Sequence, residues 1–300
     1  MPEHADRRTI LLTGATGYVG GRLLGVLLGR GHRVRCLVRD PARARLPDGA
    51  EVVAGDVLRP ETVRPALEGA DVAFYLVHSM GAGGGDFAAA DRRAARSFGD
   101  AAREAGTPRI VYLGGLEGSD SEHLRSREEV AELLAERVPG TVHARAAMVV
   151  GGGSASFQML RHLVERLPFM VAPRWVDTRT QPIAIRDVCS ALAALAAHPG
   201  PVAEVQLGGA DVLTYREMIL RYARVAGRRR PRMVRVPVLT PRLSSYWVGL
   251  VTPVSAGLAR PLVQGLSAEM LVRTPPPPGI NDAPLGFDDA VREALAEAPA

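Results

Sequence analysis

Thr9-Ile10-Leu11-Leu12-Thr13-Gly14-Ala15-Thr16-Gly17-Tyr18-Val19-Gly20 decides the fold of this 300-residue chain. Thr9 to Thr13 is a short apolar run, the mark of a buried strand. Glycines follow at positions 14, 17 and 20, and from Tyr18 the leucines Leu23, Leu24, Leu27 and Leu28 recur on one side of a helix. Strand, glycine turn and helix together form a dinucleotide-binding unit. Gly14 permits the tight turn, Gly17 lets the backbone approach a pyrophosphate, and Gly20 lets the helix pack close to the strand. The free N–H groups and the dipole at the helix start attract the phosphates.

The same alternation continues. Strands are predicted at Thr9–Thr13, Val34–Val38, Glu51–Ala54, Val72–Val77, Arg109–Leu113 and Thr141–Ala147. Helices are predicted at Tyr18–Arg30, Pro60–Leu67, Phe87–Ala105 and Glu122–Val138. The strands are apolar throughout rather than alternating, as in a parallel sheet covered on both faces. The fold class is therefore α/β, a Rossmann doubly wound parallel sheet with a smaller C-terminal lobe on the substrate side. Residues 1–150 make the nucleotide domain, 151–273 a lobe interleaved with it, and 274–300 a proline-rich linker and tail. Within the lobe, helices are expected at Ala155–Arg166, Ile185–Ala197 and Tyr215–Ala226. Thr214 and Glu217 form a capping box for the last of these. Ala203–Leu207 and Met233–Val236 read as strands, and helical segments fall between Pro241 and Gly265.

Composition narrows the function. The two cysteines, Cys36 and Cys189, both lie in apolar runs and are too few for a zinc or CxxC site. Met1–Arg8 has no apolar signal core, and no run is long enough to span a membrane, so the expectation is a cytoplasmic protein with at most peripheral membrane contact. Every basic residue is arginine, which excludes a Walker A loop, a Schiff base and a Tyr-x-x-x-Lys pair. The formal charge of +5 reads as spread along the chain, with Arg228-Arg229-Arg230 a solvated loop. No nucleic-acid motif accompanies it.

Further cofactor positions follow from the sheet. Arg39 stands first after the second strand and can fork onto a ribose 2′-phosphate, which favours NADP over NAD. Asp40 is the rival, as a ribose ligand or as the cap of the next turn. Asp56, followed by Val57, either meets the adenine or holds a turn. Leu76 and Val77 end the fourth strand beside the nicotinamide ribose, and Leu113 and Gly114 end the fifth. With Gly14, Thr16, Gly17, Tyr18, Val19 and Gly20 these make up the expected cofactor site.

The chain resembles the atypical, extended short-chain dehydrogenases/reductases, and within them the NmrA-like NAD(P)-binding proteins and the bacterial relatives of the NDUFA9-type subunit. The resemblance rests on residues 13–20, Val38-Arg39-Asp40-Pro41, Gly55-Asp56, Val111-Tyr112-Leu113-Gly114-Gly115 and Arg145 before Val149-Val150-Gly151. It also rests on Gln181-Pro182-Ile183 with Arg186-Asp187-Val188, and on Leu213-Thr214-Tyr215-Arg216-Glu217. It implies a serine after the fifth strand and a tyrosine four residues before a lysine. Here Gly114-Gly115 replaces the serine, His123 the tyrosine and Arg127 the lysine. Either His123 is a general acid with Arg127 holding the ribose, or the catalytic set has decayed and the cofactor is structural or sensory. His78 is a second candidate proton donor, and Ser119 and Ser121 could replace the serine. A nucleotide-sugar epimerase or dehydratase is disfavoured because the tyrosine–lysine pair is missing.

Gly151–Phe157 opens another helix after the sixth strand and forms a second anion site or a turn capped by Ser154, on a loop expected to face the substrate pocket. Phe157, Met159, Met170 and Trp175 line an apolar cavity or belong to the core. The expected partner is an apolar small molecule such as a carbonyl, enone or quinone, or else a larger protein complex.

Overall fold

The computed structural model describes residues 7–77, 87–116, 122–235 and 267–297. The expected glycine-turn unit is present: strand β1 (Thr9–Thr13) runs through the turn into helix α1 (Tyr18–Gly29). Gly14 has φ 71°, and a Cβ there would come within 2.7 Å of the Leu76 carbonyl oxygen. A Cβ on Gly20 would sit 2.1 Å from the Gly14 carbonyl oxygen. Both glycines are thus required by close backbone approach.

The remaining core strands are β2 (Arg33–Val38), β3 (Ala50–Ala54), β4 (Val72–Tyr75), β5 (Ile110–Gly115) and β6 (Val142–Ala146). Helices α2 (Pro60–Leu67), α3 (Phe87–Glu104) and α4 (Glu122–Arg137) connect them. After β6 come β7 (Val149–Val150), α5 (Ala155–Arg166), β8 (Phe169–Ala172) and a 3-10 turn at Arg174–Asp177. Next are β9 (Arg179–Thr180), β10 (Ile183–Ala184), α6 (Ile185–Ala197), β11 (Glu204–Leu207), β12 (Leu213–Thr214), α7 (Tyr215–Val225), β13 (Arg232–Arg235) and α8 (Phe287–Glu297).

The main sheet has seven parallel strands in the order β11-β6-β5-β4-β1-β2-β3. The chain order reverses between β1 and β4, and that switch point opens a crevice at the strands' carboxyl ends. Thr13 ties the crevice together. Its hydroxyl donates to the Phe74 carbonyl at 3.0 Å and accepts from the Leu76 N–H at 3.0 Å.

One face of the sheet packs on α1 and α6 through Leu23, Leu24, Leu27, Leu192 and Leu195. The other packs on α2, α3 and α4 around Tyr75, Phe98 and Leu134. Residues 185–207 therefore return to the nucleotide-binding core, with β11 as its seventh strand. The small pairs β10–β7, β12–β9 and β13–β8 build the second lobe with α5, α7 and α8, around Phe157, Met218 and Tyr222. The capping box at Thr214 forms in full: Thr214 Oγ1 accepts from Glu217 N–H at 3.1 Å, and Thr214 N–H donates to Glu217 Oε2 at 2.7 Å.

Beyond the proline run, α8 places Phe287, Ala290, Val291 and Ala294 on one face, all buried in this lobe. The expected helices between Pro241 and Gly265 lie outside the described residues.

Candidate functional site

A cavity of about 450 Å³ starts at the glycine turn and extends under the second lobe. Gly14, Gly17, Tyr18, Val19 and Gly20 form its floor at one end. Leu76 and Val77 follow β4 on its wall, and Leu113, Gly114 and Arg127 line it beyond β5. These ten residues, predicted from separate segments, share one cavity. Thr16 is exposed at the tip of the turn, and Arg39, Asp56 and Val57 stand outside the cavity, past β2 and β3.

A dinucleotide fits the turn. Gly17 N–H bonds back to the Gly14 carbonyl at 2.9 Å, and no side chain caps the first turn of α1. Its N–H groups are left for an anion, and no acidic residue stands in that turn to oppose one. Past β2, Asp40 is engaged locally: it accepts from Ala42 N–H at 3.1 Å and pairs with Arg43 at 3.3 Å. Arg39 is exposed beside it. Asp56 likewise holds its own turn, accepting from Leu58 N–H at 3.0 Å.

The catalytic candidates are placed unevenly. Arg127 lies in the first half of α4, donates to the Leu113 carbonyl, and sets its guanidinium 5.7 Å from the centre of the Tyr112 ring. Its Nε is buried and has no hydrogen-bond partner among the described residues. His123 lies in the first turn of α4, one turn before Arg127. His78, Ser119 and Ser121 lie outside the described residues.

Gly114, which stands in place of the expected serine, has a physical cause. A Cβ there would come within 2.1 Å of Nε2 of His143 on β6. The buried imidazole, 5.2 Å from the Tyr112 ring, fills the space a side chain would need. Burial, reinforced by the Arg145 and Arg127 charges, pushes the His143 pKa down to about 3, so this ring stays neutral. Arg145 is buried next to it, paired with Glu128 at 2.6 Å and Glu204 at 2.8 Å.

At the far end the walls are apolar: Met159, Leu160, Leu163, Trp175, Met218 and Ile219, with Tyr215 among them. Met159 and Trp175 were expected here. Phe157 and Met170 are not wall residues. Phe157 is fully buried against Tyr222, with ring centres 5.8 Å apart, and Met170 faces the core from β8. Period alone does not tell a helix residue facing a cavity from its neighbour facing the core. Tyr215, Met218 and Ile219 went unread because they lie on α7, about 200 residues from the glycine turn, and only the helix packing brings them there.

The loop after β7 lines the cavity through Gly153, Ser154, Ala155 and Ser156, and it is also a packing bed. A Cβ on Gly153 would strike the Tyr18 ring at 2.4 Å, and one on Gly151 the Tyr18 hydroxyl at 2.1 Å. That hydroxyl donates to Glu297 Oε2 at 2.8 Å, the same oxygen accepts from Gly152 N–H at 3.1 Å, and Arg22 donates to Glu297 Oε1 at 2.9 Å. Burial and the Glu297 carboxylate raise the Tyr18 pKa. Ser154 donates its hydroxyl to the Val149 carbonyl at 2.8 Å and makes no side-chain cap.

Residues 14–149 match a family model described as NAD(P)H-binding. A ceramide reductase from Caulobacter vibrioides is 30% identical over 267 residues, covering 85% of this chain and 83% of the relative. The photosystem II assembly factor Ycf39 of Trieres chinensis is 41% identical over 63 residues, a fifth of each chain. The Citrobacter sp. triphenylmethane reductase, solved with NADP(H), superposes with a TM-score of 0.76 at 20% identity, over 96% of this chain and all of the other. No helix among the described residues is long and apolar enough to cross a membrane. The chain belongs to the NAD(P)H-binding, NmrA-like group of atypical short-chain dehydrogenases/reductases.

Proposed function

We propose that this protein is an NADP(H)-dependent reductase of an apolar carbonyl, enone or quinone compound. The observation that carries the reading is the continuity of one cavity from the glycine turn to the apolar walls around Trp175 and Met218. Such a cavity brings a cofactor and an apolar substrate face to face. The preference for NADP rests on the exposed Arg39, next to an Asp40 already engaged by its own turn.

Bound NADPH would supply the hydride. The glycine turn and the start of α1 hold its pyrophosphate, and Gly14, Leu76 and Val77 bound the pocket beyond it. Arg127, fixed by Leu113, directs the rest of its guanidinium to the ribose and to negative charge developing on the substrate oxygen. His123, one turn earlier, is the proposed proton donor, with His78 as the second candidate. The Caulobacter relative's name, ceramide reductase, supports a lipid-like substrate class, which the apolar walls accommodate.

A second reading is a non-catalytic NADP(H) sensor or an assembly factor for a larger complex. The occupied space at Gly114 and the short likeness to Ycf39 favour it.

NADPH consumption with a panel of apolar ketones, enones and quinones separates the two. The expected result is turnover that falls at least about a hundredfold in His123→Ala, with NADPH bound more tightly than NADH in a manner dependent on Arg39. NADPH binding without any turnover across the panel would leave the sensor reading.

A further inference from the structure

Positive charge is concentrated in one segment rather than spread. Residues 218–268 hold nine of the 37 basic residues and none of the 32 acidic ones, so the rest of the chain has 28 basic against 32 acidic residues. The described part of this segment ends in β13, which pairs in parallel with β8 to make a two-stranded ribbon over the second lobe. The inner face of the ribbon packs Met170, Ala172 and Met233 into the cluster that includes the cavity wall.

The outer face is unusual. Phe169 is 61% exposed and Val234 59% exposed, the most open of the large apolar side chains among the described residues. Arg232 pairs in register with Phe169 and stands 5.8 Å from its ring centre. Arg229 and Arg230 are exposed at the approach to β13, and none of these three arginines has an acidic partner among the described residues. By contrast Arg221 and Arg224, inside α7, are paired with Asp211 and Asp288. Unpaired cations around a projecting aromatic ring and a valine suit an interface that is anionic at its surface and apolar just beneath. A nucleic-acid backbone would satisfy the arginines but offers nothing to Val234.

We propose that the outer face of the β8–β13 ribbon docks on an anionic lipid surface. The arginines meet the phosphates while Phe169 and Val234 enter the acyl boundary. The ribbon's opposite face packs on the cluster that also supplies the cavity wall, so docking would hold the second lobe against the phase in which an apolar substrate dissolves. The contact itself does not depend on the reaction catalysed.

The test is flotation of the full chain with vesicles of phosphatidylcholine alone or mixed equally with phosphatidylglycerol. The expected result is binding to the mixed vesicles, weakened by salt and reduced at least about tenfold in Arg229→Glu/Arg230→Glu/Arg232→Glu. Phe169→Ser/Val234→Ser should also lose binding. Unchanged NADPH binding in both variants would show that the fold is intact and keep this outcome separate from the reductase reading. Absence of binding, or equal binding to neutral vesicles, overturns the proposal. Tighter binding to a random-sequence RNA, insensitive to Phe169 and Val234, overturns it in favour of a nucleic acid. Self-association abolished by Phe169→Ser without vesicle binding overturns it in favour of a second copy of the chain.

Discussion

His143 illustrates how one buried side chain determines its neighbours. Its ring occupies the space over Gly114, so a serine cannot be restored there without moving a buried imidazole. The same burial gives the residue a pH signature. Its pKa falls from 6.5 to about 3 on folding. Above pH 6.5 both folded and unfolded chains hold it neutral, and stability is unaffected. As pH falls from 6.5 toward 3 the unfolded chain takes up a proton that the folded chain refuses, and stability is lost at up to about 1.4 kcal/mol per pH unit. Denaturant melts from pH 7 to 4 should show a shallower acid decline in His143→Gln than in the parent. Equal slopes would mean that the ring is hydrated. None of this was legible in the sequence, where His143 is one of three polar residues, with Thr141 and Arg145, in the run 141–147.

At the scale of elements, the two ends of the described chain meet: α8 lays Glu297 against Tyr18, Arg22 and Gly152. A hydrogen bond to a charged partner contributes about 1.5–3 kcal/mol, and part of that holds the glycine turn in its binding shape. Glu297→Ala should weaken NADPH binding roughly five- to tenfold. Tyr18→Phe should cost less, since it removes one of the three contacts of Glu297, and the double variant should lose no more than Glu297→Ala alone. Titration by cofactor fluorescence measures all three, and additive losses would show that the two residues act separately.

The glycine turn and the strands were readable because their signals are local: backbone crowding at Gly14 and Gly20, and continuous apolar runs. The Tyr18–Glu297 link was not, because it joins residues 279 positions apart. Gly151, Gly152 and Gly153 carried the hint, but three glycines in a row also suit an anion loop. Only the Tyr18 ring lying on them reveals the packing role. The stretch after the proline run reads as a tail because it is too short for a domain of its own, and its helix finds its core only in the second lobe.

For the molecule as a whole, both thiols are sealed in the core. Burial pushes Cys36 and Cys189 up to about 12, and both are buried, one on β2 and one on α6. The thiolate is the reactive form. Alkylation in native buffer should therefore proceed only through opening of the sheet–α1–α6 layer, at a rate that rises with denaturant. Saturating NADPH should slow it, because a ligand that binds only the folded form lowers the open population. Labelling that NADPH does not slow would place the thiols in a unit that opens without disturbing the glycine turn.

The contact between α8 and the glycine turn also orders events during synthesis. Strands β1 to β6 and their helices are complete by residue 146, and that half can collapse around its own leucines while translation continues. Its nucleotide turn is then still missing the carboxylate that braces Tyr18. The ribosome must add 151 more residues before Glu297 exists. A nascent chain would thus pass through a long interval in which the glycine turn lacks its brace, and would acquire its full grip on the cofactor only once α8 has been made and packed.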